Sequence, residues 1–167
     1  EDVKQSLESD LDLALVPSPD QGNVKLAFGN TPAMILIKKR PGKGQTLKLR
    51  LIQIDTFTDK VLGGNPAAVC PLTEWLSDSM MQAIAAENNL SETAFFVSNK
   101  NGGYDLRWFT PNVEVGLCGH ATLAAGDVVL TDIQPDADAV TFETKSGPLI
   151  VSRSGDNLQM DFPARPA

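Results

Sequence analysis

Glu92 sits in Asn89-Leu90-Ser91-Glu92-Thr93, where a helix end is expected to turn into the apolar run Ala94-Phe95-Phe96. A carboxylate with such neighbours is expected to be partly desolvated. Desolvation raises a carboxyl pKa toward the range in which it can both take and return a proton. The plainer arrangement is a strand-edge glutamate pointing to water, and the local sequence alone favours it. A second group is Gly116-Leu117-Cys118-Gly119-His120-Ala121-Thr122. Small residues at a helix start leave backbone N–H groups open, and the positive end of the helix dipole favours an anion such as a substrate carboxylate. At that terminus Cys118 is open to a lowered pKa, and His120 is the side chain that titrates near neutrality unperturbed. The alternative is a buried cysteine and a structural histidine at a tight turn. The third group is Gly63-Gly64-Asn65-Pro66-Ala67-Ala68, where the Asn65 amide can bond a carboxylate or simply make an Asn-Pro turn.

Other uses of these residues are less favoured. The chain holds two cysteines, Cys70 and Cys118, with no CxxC pair, so no disulfide framework is expected. No metal site is expected either, because His120 is the single histidine and thiolate partners are missing. A Cys118–His120 nucleophilic pair is a poor reading. The two are close in sequence, and no third orienting group is evident.

The elements that must position these groups follow from the pattern. Leu49–Asp55 and Ala67–Cys70 read as strands. Ser77 is a good N-cap for a helix with Met80, Met81, Ile84 and Ala85 on one face, and Leu76 and Met81 have the spacing of a hydrophobic staple. Asn88-Asn89 ends that helix. Thr93–Val97 and Tyr104–Thr110 read as strands across an Asn101-Gly102-Gly103 turn. Ala121–Leu130 is a second helix, so poor in charge that it is expected to be central. Val140–Glu143, Leu149–Val151 and Leu158–Asp161 complete the strands. The expected class is α+β, an antiparallel sheet or roll wrapped around a central helix.

The first 48 residues differ in kind. Glu1–Asp12 reads as a short acidic helix or frayed tail, and Pro17, Pro19 and Gly22 break the chain. Val24–Phe28 and Ala33–Ile37 form a plausible hairpin, and Lys38–Gln45 reads as a basic linker. Up to Lys48 seven basic residues face six acidic ones, whereas beyond it seven face fifteen. Residues 1–48 are therefore expected to be an appendage or linker, and residues 49–167 a domain. The net charge of −7 argues against nucleic-acid and anionic-membrane partners. No apolar run has the length to cross a bilayer, and Glu1-Asp2-Val3-Lys4 is not the opening of a secretory signal, so a cytoplasmic location is expected.

Taken in order, Ile54-Asp55-Thr56-Phe57-Thr58, Gly64-Asn65-Pro66-Ala67-Ala68-Val69, Leu90-Ser91-Glu92-Thr93-Ala94-Phe95, Phe109-Thr110-Pro111 and Cys118-Gly119-His120-Ala121-Thr122 resemble the PhzF family of phenazine-biosynthesis-like proteins. The resemblance runs from about Leu49 to the C-terminus. It implies the diaminopimelate epimerase fold and a cofactor-independent isomerase that moves a proton on a small carboxylate substrate. It implies Glu92 as the proton carrier with His120 in the same cleft. Cys118 falls where related epimerases keep a catalytic thiol. Asn65, Ser91, Gly119, Ala121 and Thr122 are implied as substrate-binding. The family has two similar halves with the site between them, and this sequence matches the first. It is therefore expected to be incomplete as it stands. It then acts as an isomerase once completed by a second half or a second copy in a two-fold dimer, or as a non-catalytic binding or structural half-domain.

Overall fold

The computed structural model describes residues 11–17, 32–39, 47–60 and 63–162. The described residues form ten strands and two α-helices: β1 (Leu11–Pro17), β2 (Pro32–Lys39), β3 (Leu47–Thr56), β4 (Asn65–Leu72), α1 (Asp78–Asn88), β5 (Glu92–Ser98), β6 (Tyr104–Phe109), β7 (Glu114–Val115), α2 (Gly119–Val128), β8 (Ala139–Glu143), β9 (Leu149–Ser154) and β10 (Asn157–Met160). A π-helical turn, Val129–Ile133, continues α2.

One sheet takes all ten strands in the order β1-β2-β3-β4-β5-β6-β8-β9-β10, with the short β7 beside β6. The expected α+β class holds, but the sheet is mixed rather than purely antiparallel. β4–β5 and β6–β8 are parallel pairs. Each follows from a helix. Between β4 and β5, α1 carries the chain back to the end from which β4 set out, and α2 does the same between β6 and β8. A strand entered that way must run parallel to its predecessor.

Strand alternation builds two cores. Side chains one residue apart face opposite sides of a sheet. Ile52 and Ile54, Ala67 and Val69, Ala94 and Phe96, and Leu106 and Trp108 face one side, where they pack with α2. Leu49 and Leu51, Ala68 and Cys70, Phe95 and Phe109 face the other, where Met81, Ile84 and Ala85 of α1 cover them. Buried on both faces, these central strands read as near-continuous apolar runs.

The low-charge helix is the central one, as its sequence requires. Ala121, Thr122, Ala124, Ala125, Gly126 and Val128 are buried in α2, as are Val129 and Leu130 in the turn after it. It packs on β3, β4, β5, β9 and β10, so the sheet curls around it. Helix α1 is capped as its sequence indicates. Ser77 Oγ accepts from the Met80 amide at 3.2 Å, and Asn89 ends the helix in the left-handed conformation. Leu76 and Met81 lie in the same core.

Ahead of the sheet's centre the sequence reading needs correction. Leu11–Pro17 is a strand, although the reading above takes residues to Asp12 as helix or tail and Pro17 as a break. Its alternating Leu11, Leu13 and Leu15 are the overlooked signal. β1, not Val24–Phe28, is the partner of β2; Val24–Phe28 lies outside the described residues. Lys38 and Lys39, read as linker, close β2. β2 pairs antiparallel with β3, from Pro32 opposite Ile52 to Ile37 opposite Leu47.

Candidate active site

Glu92 opens β5, and the adjoining loop decides where its side chain goes. The Thr93 side chain is buried, and its Oγ1 accepts from Asn88 Nδ2 of α1 at 3.2 Å. Pinning Thr93 to the α1 face turns Glu92 to the α2 face. There its register partner is Ala67 of β4. Asn65 lies one pleat earlier on β4, on that same face. Its position is fixed by Gly64, whose φ is +75° and whose missing Cβ would stand 2.1 Å from Thr56 O. Only glycine allows this turn. Thr56 Oγ1 then donates to Asn65 O at 3.0 Å.

The N-terminus of α2 comes to the same end of the sheet. Cys118 is its N-cap residue in extended conformation. Thr122 is buried and donates its hydroxyl to Cys118 O, which fastens the first turn. His120 follows within that turn. Its Nε2 is 3.2 Å from Glu92 Oε2, and its Nδ1 is 3.4 Å from Cys118 Sγ. The His120 and Glu92 side chains are 10% and 20% exposed. Although close, Glu92 Oε2 and His120 Nε2 are not aligned as a hydrogen bond, and neither buried atom has another hydrogen-bond partner among the described residues. Each is therefore the other's nearest polar partner.

Burial pushes the Cys118 thiol up, to about 11. The nearby Glu92 carboxylate pushes the same way. The backbone amides of Ala121 and His120 favour the thiolate but are outweighed. The expectation of a lowered pKa at this helix start fails for that reason: the dipole acts on a sulfur removed from water, and desolvation is the larger effect. The structure also supplies the third group that the sequence reading of the Cys118–His120 pair lacked, because Glu92 stands at Nε2. A buried, protonated thiol is nevertheless a weak nucleophile.

The other sequence-predicted residues are placed less directly. Ser91 is exposed beside Glu92. Neither it nor the Asn65 side chain is hydrogen-bonded to the three clustered residues among those described. The Ala121 and Thr122 side chains are fully buried, so a ligand reaches these positions only through the backbone. Gly119 leaves room for two residues that sequence reasoning missed. A Cβ on it would lie 3.3 Å from the Phe162 ring and 3.8 Å from Met160 Cε. Phe162 is 46% exposed. Phe57, immediately after Thr56, is 72% exposed and holds a left-handed φ of 62°. A bulky residue in that region is strained, and such strain gathers at functional sites. Phe57 was visible as part of a motif, but its backbone conformation has no signal in side-chain type.

Residues 54–164 match the phenazine biosynthesis-like protein family, PhzC–PhzF. The chain belongs to this family. An uncharacterized isomerase of Pseudomonas aeruginosa is 56% identical over 119 residues, which are 71% of this chain and 46% of that protein. The human phenazine biosynthesis-like domain-containing protein is 44% identical over 128 residues, 72% of this chain and 44% of its own length. Among solved structures, a phenazine biosynthesis PhzC/PhzF protein of Clostridium difficile is 47% identical with a TM-score of 0.66, covering 69% of this chain and 44% of that one. A predicted epimerase of Pseudomonas aeruginosa is 27% identical with a TM-score of 0.57, over 66% of this chain and 40% of that one. The chain thus spans less than half the length of these family members. The family match begins at Ile54 and takes in Glu92, Cys118 and His120. No helix among the described residues is long and apolar enough to cross a membrane.

Proposed function

We propose that this chain carries one wall of an isomerase site, in which Glu92 moves a proton on a small carboxylate-bearing substrate without a cofactor. The observation that carries the reading is the contact of Glu92 with His120 at the N-terminus of α2, both side chains mostly buried and their facing atoms without hydrogen-bond partners. Family membership and relatives named isomerase or epimerase support the reaction class.

The chemistry follows from the placement. The Glu92 carboxylate takes a proton from a carbon next to a carbonyl or carboxylate. The negative charge left on the substrate is stabilised by the His120 ring and by the positive end of α2, groups already oriented before reaction. Once that proton has exchanged with solvent, Glu92 returns a proton to the substrate at another carbon reached from the same face. Asn65 and Ser91, at the same end of the neighbouring strands β4 and β5, hold the substrate's polar groups. The Cys118 thiol, protonated at neutral pH, is a packing and hydrogen-bonding group beside His120.

Exposure favours a second reading, a half-domain that binds without catalysing. Phe57 and Phe162 stand open at this end of the fold. Proton transfer at carbon needs a site closed to water. The test is solvent-deuterium incorporation at the α- or γ-carbon of small amino and hydroxy acids, followed by mass spectrometry. The expected result is incorporation that Glu92→Gln lowers by about 10²-fold or more, the usual worth of a general base. Incorporation that survives Glu92→Gln would rule out its role. No incorporation on any substrate leaves the binding half-domain.

A further inference from the structure

We propose that Phe162, with Met160 beneath it, is a specificity-determining residue of the candidate site: its ring is the apolar wall against which the hydrocarbon part of a carboxylate ligand packs while the carboxylate meets the start of α2. The proposal rests on the function proposed above and adds the feature by which one ligand is told from another.

Three observations carry the inference. The first is direction. Side chains of a helix tilt toward its N-terminus. A Cβ on Gly119, the first residue of α2, would meet the Phe162 ring at 3.3 and 3.8 Å and Met160 Cε at 3.8 Å. The ring therefore stands beside the mouth of the helix, and glycine is what lets it come so close. The second is exposure along one row. Leu158 and Met160 of β10 turn to α2, and Phe162, two residues further on, continues their row. Leu158 and Met160 are partly buried against the core, whereas Phe162 is 46% exposed. The ring thus covers the helix start and keeps apolar surface open among the described residues. The third is the polar group it borders. The His120 and Ala121 amides already bond the Cys118 sulfur. The Gly119 amide opens the helix and has no partner within it. His120 is nine-tenths buried, and its Nε2 makes no aligned hydrogen bond. An anion at the Gly119 amide is favoured by the helix dipole and lies next to the Phe162 ring.

The division of labour follows. A helix start and an imidazole read the charge of a carboxylate, whatever that carboxylate is attached to. Discrimination then comes from what packs against the rest of the ligand. Each methylene group taken from water strengthens binding by about fourfold when fully covered, and by about twofold when an apolar wall covers one side.

The probes are the sodium salts of acetate, propionate, butyrate and valerate. Each is added at constant ionic strength to the nitrogen-15-labelled full chain, and the Gly119 and His120 amide resonances are followed by NMR. A shift at both amides is expected, with an affinity that rises about two- to fourfold for each added methylene group. Phe162→Ala is expected to flatten that rise while acetate affinity stays within about twofold. Phe162→Leu, still apolar, is expected to keep most of it. Circular dichroism checks each fold, and Phe162→Gln takes the place of an alanine variant that does not fold. A rise that survives in Phe162→Ala overturns the proposal. So does an equal loss for acetate and valerate, which marks a merely structural side chain. Sedimentation velocity tests the other use of an open ring. A changed oligomeric state in Phe162→Ala with the rise intact assigns Phe162 to a contact between copies and overturns the wall. Affinity that ignores chain length in the unaltered chain overturns the wall alone and leaves the function proposed above in place. No shift at either amide with any of the salts removes the carboxylate position from that function, and the wall with it.

Discussion

At residue scale the two cysteines are separated by what surrounds them. Cys70 is wholly buried behind α1, and burial drives its thiol well above the ordinary range. Cys118 lies at a helix start with two amides near its sulfur, yet burial still holds it at about 11. An alkylating agent reacts with thiolate only. At neutral pH the folded chain therefore presents about 100-fold less Cys118 thiolate than an ordinary cysteine with a pKa of 9.0 would. Alkylation by iodoacetamide at pH 7.5, read by mass spectrometry, is expected to be slow at both positions in the folded chain and fast in denaturant. The sign for stability follows. The folded thiol has the higher pKa, so its contribution is full below about 9 and is lost as pH rises through 11. Rapid labelling of Cys118 at neutral pH in the folded chain would show a thiolate there. It would return the Cys118–His120–Glu92 line to consideration as a nucleophile.

At the scale of elements, helix α2 is held against the sheet by close approach as well as by apolar area. A Cβ on Gly126 would meet Val151 of β9 at 2.5 Å, and Val151 is fully buried. Gly126→Ala must push the helix and strand apart, since neither atom is the end of a flexible chain. The expected loss is about 1–3 kcal/mol in urea unfolding, despite alanine's better helix propensity. A stabilised variant would show that the helix moves at no cost. On the other face, Arg107 of β6 ties β7 to α1. Its Nε donates to Glu114 Oε1 at 2.8 Å, its Nη2 to Oε2 at 2.9 Å and its Nη1 to Asp78 Oδ1 at 2.8 Å. Hydrogen bonding from Arg107 is the chief reason that the Glu114 carboxyl falls to about 2 from its ordinary 4.5. Its contribution is therefore present above pH 4.5 and lost as pH falls toward 2. A plot of unfolding free energy against pH is expected to drop in that window, and Glu114→Gln is expected to flatten part of the drop. An unchanged profile would assign the acid loss to other carboxylates.

For the whole molecule, the division proposed at residues 48 and 49 meets a sheet that continues past it. β3 begins at Leu47, and β2 and β1 extend its edge. Among the residues whose side chains are described, which start at Leu49, the two cores form around α1 and α2. Trypsin is expected to cut in the basic stretch Lys38–Lys43 and release a C-terminal piece that keeps its circular dichroism and its cooperative melting. Unfolding on cleavage would make the first strands integral and move the boundary. A second proposal at this scale is a two-fold dimer, the commonest oligomer symmetry. It would set the open Phe57 and Phe162 of one copy toward the other. Two Glu92 carboxylates brought close would favour retention of one proton. Sedimentation velocity is expected to find the dimer, and a monomer across the accessible concentration range would discard it.

The sequence by itself determined most elements from Leu49 onward, because their signals are local. Ser77 caps α1 with its own side chain, Asn89 ends it, and the low-charge run from Ala121 could only be an inner helix. It also carried the family, through motifs whose order survives whatever the chain does in space. It did not determine strand direction: the parallel β4–β5 and β6–β8 joins depend on where two helices pack. Nor did local pattern rescue β1, whose alternation was masked by the prolines around it. At the site, the Cys118–His120 neighbourhood was legible in a triplet, but Glu92 is 26 positions earlier than Cys118 and reaches them only when β5 and α2 meet. Helix-start position alone suggested an activated thiol. The tertiary structure reversed that, because desolvation depends on everything packed around a sulfur and not on the residues beside it in the chain.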